Sequence, residues 1–119
     1  MEQAGYQNLI VWQKGVELVD LVYIYSANLP KFEVYALASQ MIRAAISIPS
    51  NIAEGWGRQS KQEFIRFLCI AYASSCELET QIIVARKQYP NLQTADIQDL
   101  ITELRKMLVT LIKQKRNST

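Results

Sequence analysis

Histidine is absent from this 119-residue chain, and that one absence removes a large part of enzyme chemistry. Neither a Ser-His-Asp nor a Cys-His nucleophile can be assembled within one chain. The Glu-x-x-His motif by which ferritin-like bundles hold a di-metal centre is excluded as well. Cysteine is scarce, with only Cys69 and Cys76, so there is no Cys-x-x-Cys pair for zinc. On one helix their Cα atoms would stand roughly 10 Å apart, beyond the disulfide limit of about 7 Å. They read as apolar side chains in a reducing compartment. No glycine-rich phosphate loop occurs. No cofactor or metal is expected, and the chain is expected not to be an enzyme.

Glycine and proline are also few, four and three respectively, which leaves little material for the many turns of an all-β fold. Asp20, Arg43 and Glu77 interrupt the longest apolar stretches, so no membrane-spanning run is expected. The polar start, Met1 to Asn8, lacks the pattern of a signal peptide. A cytoplasmic location with no membrane partner is the expectation.

What is present is a globular composition, half apolar and one fifth charged. Helical periodicity recurs four times. Trp12, Val16, Val19, Tyr23 and Ser26 mark a first helix over 9–28, widened by Leu18, Leu21, Val22 and Tyr25 and closed by Asn28-Leu29-Pro30. Leu37, Met41, Ala45, Ile48 and Ile52 mark a second over 33–57. A kink is expected at Pro49, and a stop at Gly55 or Gly57. Ser60 and Glu63 form a capping-box pattern that opens a third helix over 60–89. Its seam is Phe64, Leu68, Ala71, Ser75, Leu78, Ile82, Ala85 and Tyr89. Thr94 is the expected cap of a fourth helix over 94–115, striped by Ile97, Ile101, Leu104, Leu108 and Leu111. Short connections predict a single all-α domain over 1–119, an antiparallel up-down-up-down four-helix bundle with a Pro-kinked second helix.

The third helix carries more apolar surface than one bundle face needs. Ile65, Cys69, Tyr72, Cys76 and Ile83 form a second stripe about 100° around from the seam. Either this central helix packs against two neighbours, or part of the stripe is a contact between protomers. Self-association is the favoured reading.

The overall charge of +2 is small, but it is unevenly spread. Residues 100–119 hold Arg105, Lys106, Lys113, Lys115 and Arg116 against Glu103 alone, whereas residues 1–99 carry ten acidic and eight basic residues. Such a positive end either complements the helix dipole or meets phosphates. Ser47, Asn51 and Glu54 share helical spacing around Pro49, and Ser74 and Glu77 sit on the third helix. These five are expected to form a structural polar network that satisfies carbonyls freed by the proline. A carboxylate-only metal site from Glu54, Glu77 and Glu79 is the less favoured alternative.

Arg43 to Arg58 around Ser47-Ile48-Pro49-Ser50-Asn51-Ile52-Ala53-Glu54-Gly55, then Glu63 to Leu68, Ala71, Glu77 to Thr80, and the opening Leu9 to Lys14 form a set of stretches in fixed order. Together they resemble the four-helix-bundle proteins of the 23S rRNA intervening-sequence family. The resemblance covers nearly the whole chain. The matching positions are Ser47, Pro49, Asn51, Glu54, Gly55, Arg58, Glu63, Phe64, Arg66, Ser74, Glu77 and Glu79. It implies a homopentameric ring. It also implies similarity to the accessory variability determinant of diversity-generating retroelements, a bundle associated with nucleic acid through a basic surface. Where family members often read Ala-Arg-Gly-Ser, this chain has Ala71-Tyr72-Ala73-Ser74, which removes a cation from that face. Two functions are therefore carried forward. One is a homo-oligomeric accessory protein that meets RNA or DNA through Arg58, Lys61, Arg66, Arg105, Lys106, Lys113, Lys115 and Arg116. The other is a scaffold for a protein partner. No aromatic platform is interleaved with these basic residues along the chain, so sequence-specific single-strand reading is not expected.

Overall fold

The computed structural model describes residues 5–118. Its long elements are α1 (Ile10–Ala27), α2 (Leu37–Gly57), α3 (Lys61–Gln88) and α4 (Ala95–Asn117), with short 3-10 turns at Tyr6–Asn8 and Lys31–Glu33 and no strand among the described residues. Each helix packs on its chain neighbours, and α1 closes the bundle against α4. The contacts fix the directions. Ser47 meets Ser74, while Gly55, further along α2, faces Phe67, earlier on α3. Similarly, Lys14 reaches Glu103 across α1 and α4, and Arg116 reaches Cys69 across α3 and α4. Up-down-up-down order follows, in a rod with extents of 48 × 27 × 20 Å.

The expected seams of α2 and α3 are the observed core except at Leu37 and Tyr89, which are half-buried. Met41, Ala45, Ile48, Ile52, Leu68, Ala71, Ser75, Leu78, Ile82 and Ala85 are fully buried. On α4, Leu111 is only half-buried and Ile112 takes the interior position. The seam of α1 differs from expectation by one residue, about 100° of rotation. Val11, Gly15, Leu18, Val22, Tyr25 and Ser26 are buried, so Ser26 and the widening residues Leu18, Val22 and Tyr25 are where expected, whereas Tyr23 is exposed and Trp12, Val16 and Val19 are half-buried. Gly15 conceals this seam in the sequence, because it has no side chain to register as apolar. It stands where it does because a Cβ there would come within 3.3 Å of the Pro49 ring.

Proline at position 49 does not end α2, which runs on to Gly57. A proline inside a helix costs roughly 3 kcal/mol. Complete burial of Ile48 and Ile52, at about 1.5–3 kcal/mol each, is enough to offset it. Pro49 is itself buried against Gly15.

Three boundary expectations need correction. Helix α2 begins at Leu37 and not near residue 33, since Ala36 leaves helical geometry at φ −125, ψ −105. Its first turn is met from upstream by Glu33, whose carboxylate accepts from the Leu37 N–H at 3.4 Å and from the Tyr89 hydroxyl at 2.6 Å. The stop after α2 does not come from glycine. Neither Gly55 nor Gly57 has positive φ, and Gln59 takes the left-handed conformation at φ 57. At Thr94 the hydroxyl donates to Gln98 Oε1 at 3.0 Å and makes no backbone cap. Ser60, by contrast, accepts from the Glu63 N–H at 3.3 Å as the capping pattern requires.

Gly55 is a packing glycine. A Cβ there would lie 2.6 Å from Phe67 Cβ, an atom fixed to the α3 backbone, and 3.2 Å from Phe64 Cδ1. We expect Gly55→Ala to force α2 and α3 apart and to destabilise by about 1–3 kcal/mol in chemical denaturation. Gly57→Ala, with nothing within 4 Å of the new methyl, should instead stabilise by about 0.4–1 kcal/mol. Equal effects at the two sites would refute the close-approach assignment.

Candidate nucleic-acid interface at one end of the bundle

The α2–α3 turn and the C-terminus of α4 meet at the same end of the rod. This brings together Arg58, Lys61, Arg66, Lys115 and Arg116, which are up to 58 positions apart in sequence. Three observations join them. The Lys61 ammonium donates to the Ser118 carbonyl. A guanidinium nitrogen of Arg116 stands 3.7 Å from Cys69 Sγ. Lys61 and Lys115 line one open cavity of about 390 Å³ with Gly55, Trp56, Gln59, Ser60, Phe64 and Ser118.

These cations are not electrostatically equivalent. Arg58 is held by Glu54 at 3.0 Å and by Glu63 at 3.5 Å, and Arg66 by Glu63 at 3.1 Å. The hydrogen bond from Arg66 is the main reason the Glu63 carboxyl lies below its usual range, helped by the charges of Arg66 and Arg58. Arg105 is engaged elsewhere, on Glu79 at 2.5 Å and on the Tyr72 hydroxyl at 3.2 Å. By contrast, Lys61, Lys106, Lys113, Lys115 and Arg116 have no carboxylate within 4.0 Å among the described residues. Four of those five belong to the α3 start and the α4 end. Lys106 lies apart, on grooves that flank the middle of α4.

Contrary to the expectation of no interleaved platform, Trp56, Arg58, Lys61, Phe64, Arg66 and Phe67 alternate along one stretch, and the fold adds Lys115 to them. Arg58 and Arg66 lie over the Phe67 ring at 5.0 and 4.5 Å from its centroid, and Lys115 stands 5.8 Å from that of Phe64. Both phenylalanines are buried, so they serve as floors for the cations. Trp56 is half-buried and lines the cavity, perpendicular to Phe64 at 84° and 5.9 Å. Neither Trp56 nor Gln59 stands out as a site residue in the linear sequence. The usable signal was their adjacency to Arg58 and Lys61 across a helix end.

The expected polar network forms only in part. Ser47 and Ser74 hydroxyls lie 2.8 Å apart across α2 and α3, and the Asn51 amide donates to Ser47 Oγ at 2.9 Å and to the Ser47 carbonyl at 2.7 Å. Proline 49 withholds its donor from the Ala45 carbonyl, one turn back, so the side-chain bond to Ser47 does not serve the carbonyl that the proline frees. Glu54 pairs with Arg58 and stays outside the network, and Glu77 meets Gln81 at 3.4 Å. Glu54, Glu77 and Glu79 thus face three different partners.

The second apolar stripe of α3 runs along the seam with α4. Ile65, Cys69 and Tyr72 pack partly against the core, Cys76 is half-buried, and Ile83 is exposed. Cys69 and Cys76 are free thiols. Helix α3 is long and apolar enough to match a membrane span, yet its seam is the centre of the bundle.

The sequence profile described as 23S rRNA-intervening sequence protein matches residues 7–110. A crystal structure of a protein of unknown function from the S23 ribosomal protein family of Bacteroides thetaiotaomicron is similar, with a TM-score of 0.78 and 25% identity, covering 87% of this chain and 96% of that one. No curated protein matches. Matched over most of its length and sharing the bundle, the chain belongs to the 23S rRNA-intervening sequence protein family.

Proposed function

We propose that this protein is a non-enzymatic, homo-oligomeric accessory protein that associates with RNA or DNA through the basic end of its bundle. The observation that carries the proposal is the set Lys61, Lys113, Lys115 and Arg116, gathered at the meeting of the α3 start and the α4 end without carboxylate partners among the described residues. Phosphates recruited there release counterions, so affinity follows charge and shape and falls steeply with salt. In an oligomer each copy adds one such patch, and linked patches bind more tightly than one. Arg58 and Arg66 act as a reserve, because Glu63 already occupies them.

A second reading, a scaffold for a protein partner, is favoured by a different observation. Phe32 and Tyr35 are 76% and 96% exposed at the opposite end of the rod, beside the exposed Val34. Aromatic side chains left so open are common in contacts between proteins.

Three measurements test the proposal. Light scattering on purified protein should give a particle of about five times the 13.6 kDa chain mass. A mass equal to one chain would remove the oligomer. In anisotropy titrations with structured RNA and duplex DNA, replacing Lys113, Lys115 and Arg116 by glutamine should lower the log–log salt slope by roughly two to three. Absence of binding by the unaltered protein at low salt would dispose of the nucleic-acid reading. Glu63→Gln should tighten binding a few-fold by freeing the Arg66 guanidinium, while Arg58 keeps its pair with Glu54. The same release should follow acidification. Because the carboxyl is depressed when folded, the Glu63 pairs persist above the ordinary carboxylate range and are lost only as pH falls through that lowered value. The gain from low pH should therefore vanish in the glutamine variant.

A further inference from the structure

We propose that the cavity between the α2–α3 turn and the α4 C-terminus is a slot for one unpaired nucleotide, its base against Trp56 and its phosphates between Lys61 and Lys115. The inference rests on the nucleic-acid reading and narrows it from polyanions in general to single-stranded ends or loops.

Size, lining and charge support the assignment together. The cavity measures about 390 Å³ and is open to solvent, so a side group entering from a strand need not displace the core. One wall is aromatic: the Trp56 indole and the Phe64 ring, nearly perpendicular to one another. A flat base gains by stacking on such a wall whatever its identity. Lys61 and Lys115 line the same cavity and have no carboxylate within 4.0 Å among the described residues. Lys61 is anchored by the Ser118 carbonyl and Lys115 rests over Phe64, so both ammoniums are positioned before a ligand arrives. Gln59, held in left-handed backbone by the turn, and Ser60 supply polar groups at the rim. Duplex nucleic acid keeps its bases stacked inside and cannot enter, although its phosphates still meet the surrounding cations.

The test uses the full chain with Trp12→Phe, which leaves Trp56 as the sole indole. The probes are a mixed-sequence single-stranded 12-mer RNA and the corresponding duplex. Single strand should quench Trp56 emission saturably and duplex should not. Trp56→Leu should weaken single-strand binding about tenfold and leave duplex binding unchanged. Trp56→Phe, which keeps a stacking face, should retain most of the affinity, and far-UV helicity with the denaturation midpoint establishes that each variant is folded. If both probes bind, but emission does not change and Trp56→Leu affects them equally or not at all, the slot is wrong and the basic end stands. If neither probe binds at low salt, both readings fall. An unfolded Trp56→Leu leaves the decision to the quenching and to Trp56→Phe.

Discussion

The close approach of α2 to α3 is the constraint on which the remainder of the molecule rests. Gly55 lets the α2 backbone come down onto Phe64 and Phe67, and about two turns away the two helices are pinned by the hydroxyls of Ser47 and Ser74. These two contacts fix register as well as separation. Apolar stripes alone tolerate sliding, since one Leu or Ile can stand in for another at modest cost. A missing side chain and a paired hydroxyl do not. With α2 and α3 locked, Phe67 lies where Arg58 and Arg66 can both cover it, and Trp56 reaches the cavity that Lys61 and Lys115 share.

A similar economy operates at Pro49. The residue that breaks a hydrogen bond inside α2 is also the surface against which Gly15 of α1 packs. A glycine and a proline, both poor helix residues, thus give a closer helix pair than two good helix formers would. The loss in local propensity is recovered in tertiary burial, and Ile48 and Ile52, on either side of the proline, are completely shielded from solvent.

Charge in this protein is organised by pairing more than by amount. A net charge of +2 says little. The fold ties Arg58, Arg66 and Arg105 to carboxylates and leaves a lysine-rich set open at one end of a rod 48 Å long. The planar forks of Arg58, Arg66 and Arg105 suit carboxylates, whereas Lys61, Lys113, Lys115 and Arg116 remain without a carboxylate among the described residues, as charges for a diffuse partner. Exposed Phe32 and Tyr35 sit at the far end, so the two unusual surfaces of the protein are physically separate.

Much was legible in the sequence by itself. Four helical periods, the Ser60 cap, the positive tail of α4 and the missing histidine depend on local spacing or on composition, and these need no partner to be read. The α1 seam was legible only in part: Leu18, Val22 and Tyr25 belong to the widened stripe, while Gly15 is silent to any apolar count. Its role exists only opposite Pro49. The start of α2 escaped because its first free N–H is met by Glu33 from outside the helix. The candidate slot escaped for the same physical reason: Trp56, Lys61 and Lys115 acquire a common chemistry only when three helix ends converge. Sequence determines what each face of a helix can bury. Which cations remain unpaired, and which ring they surround, is decided by packing, because both depend on distances between segments far apart in the chain.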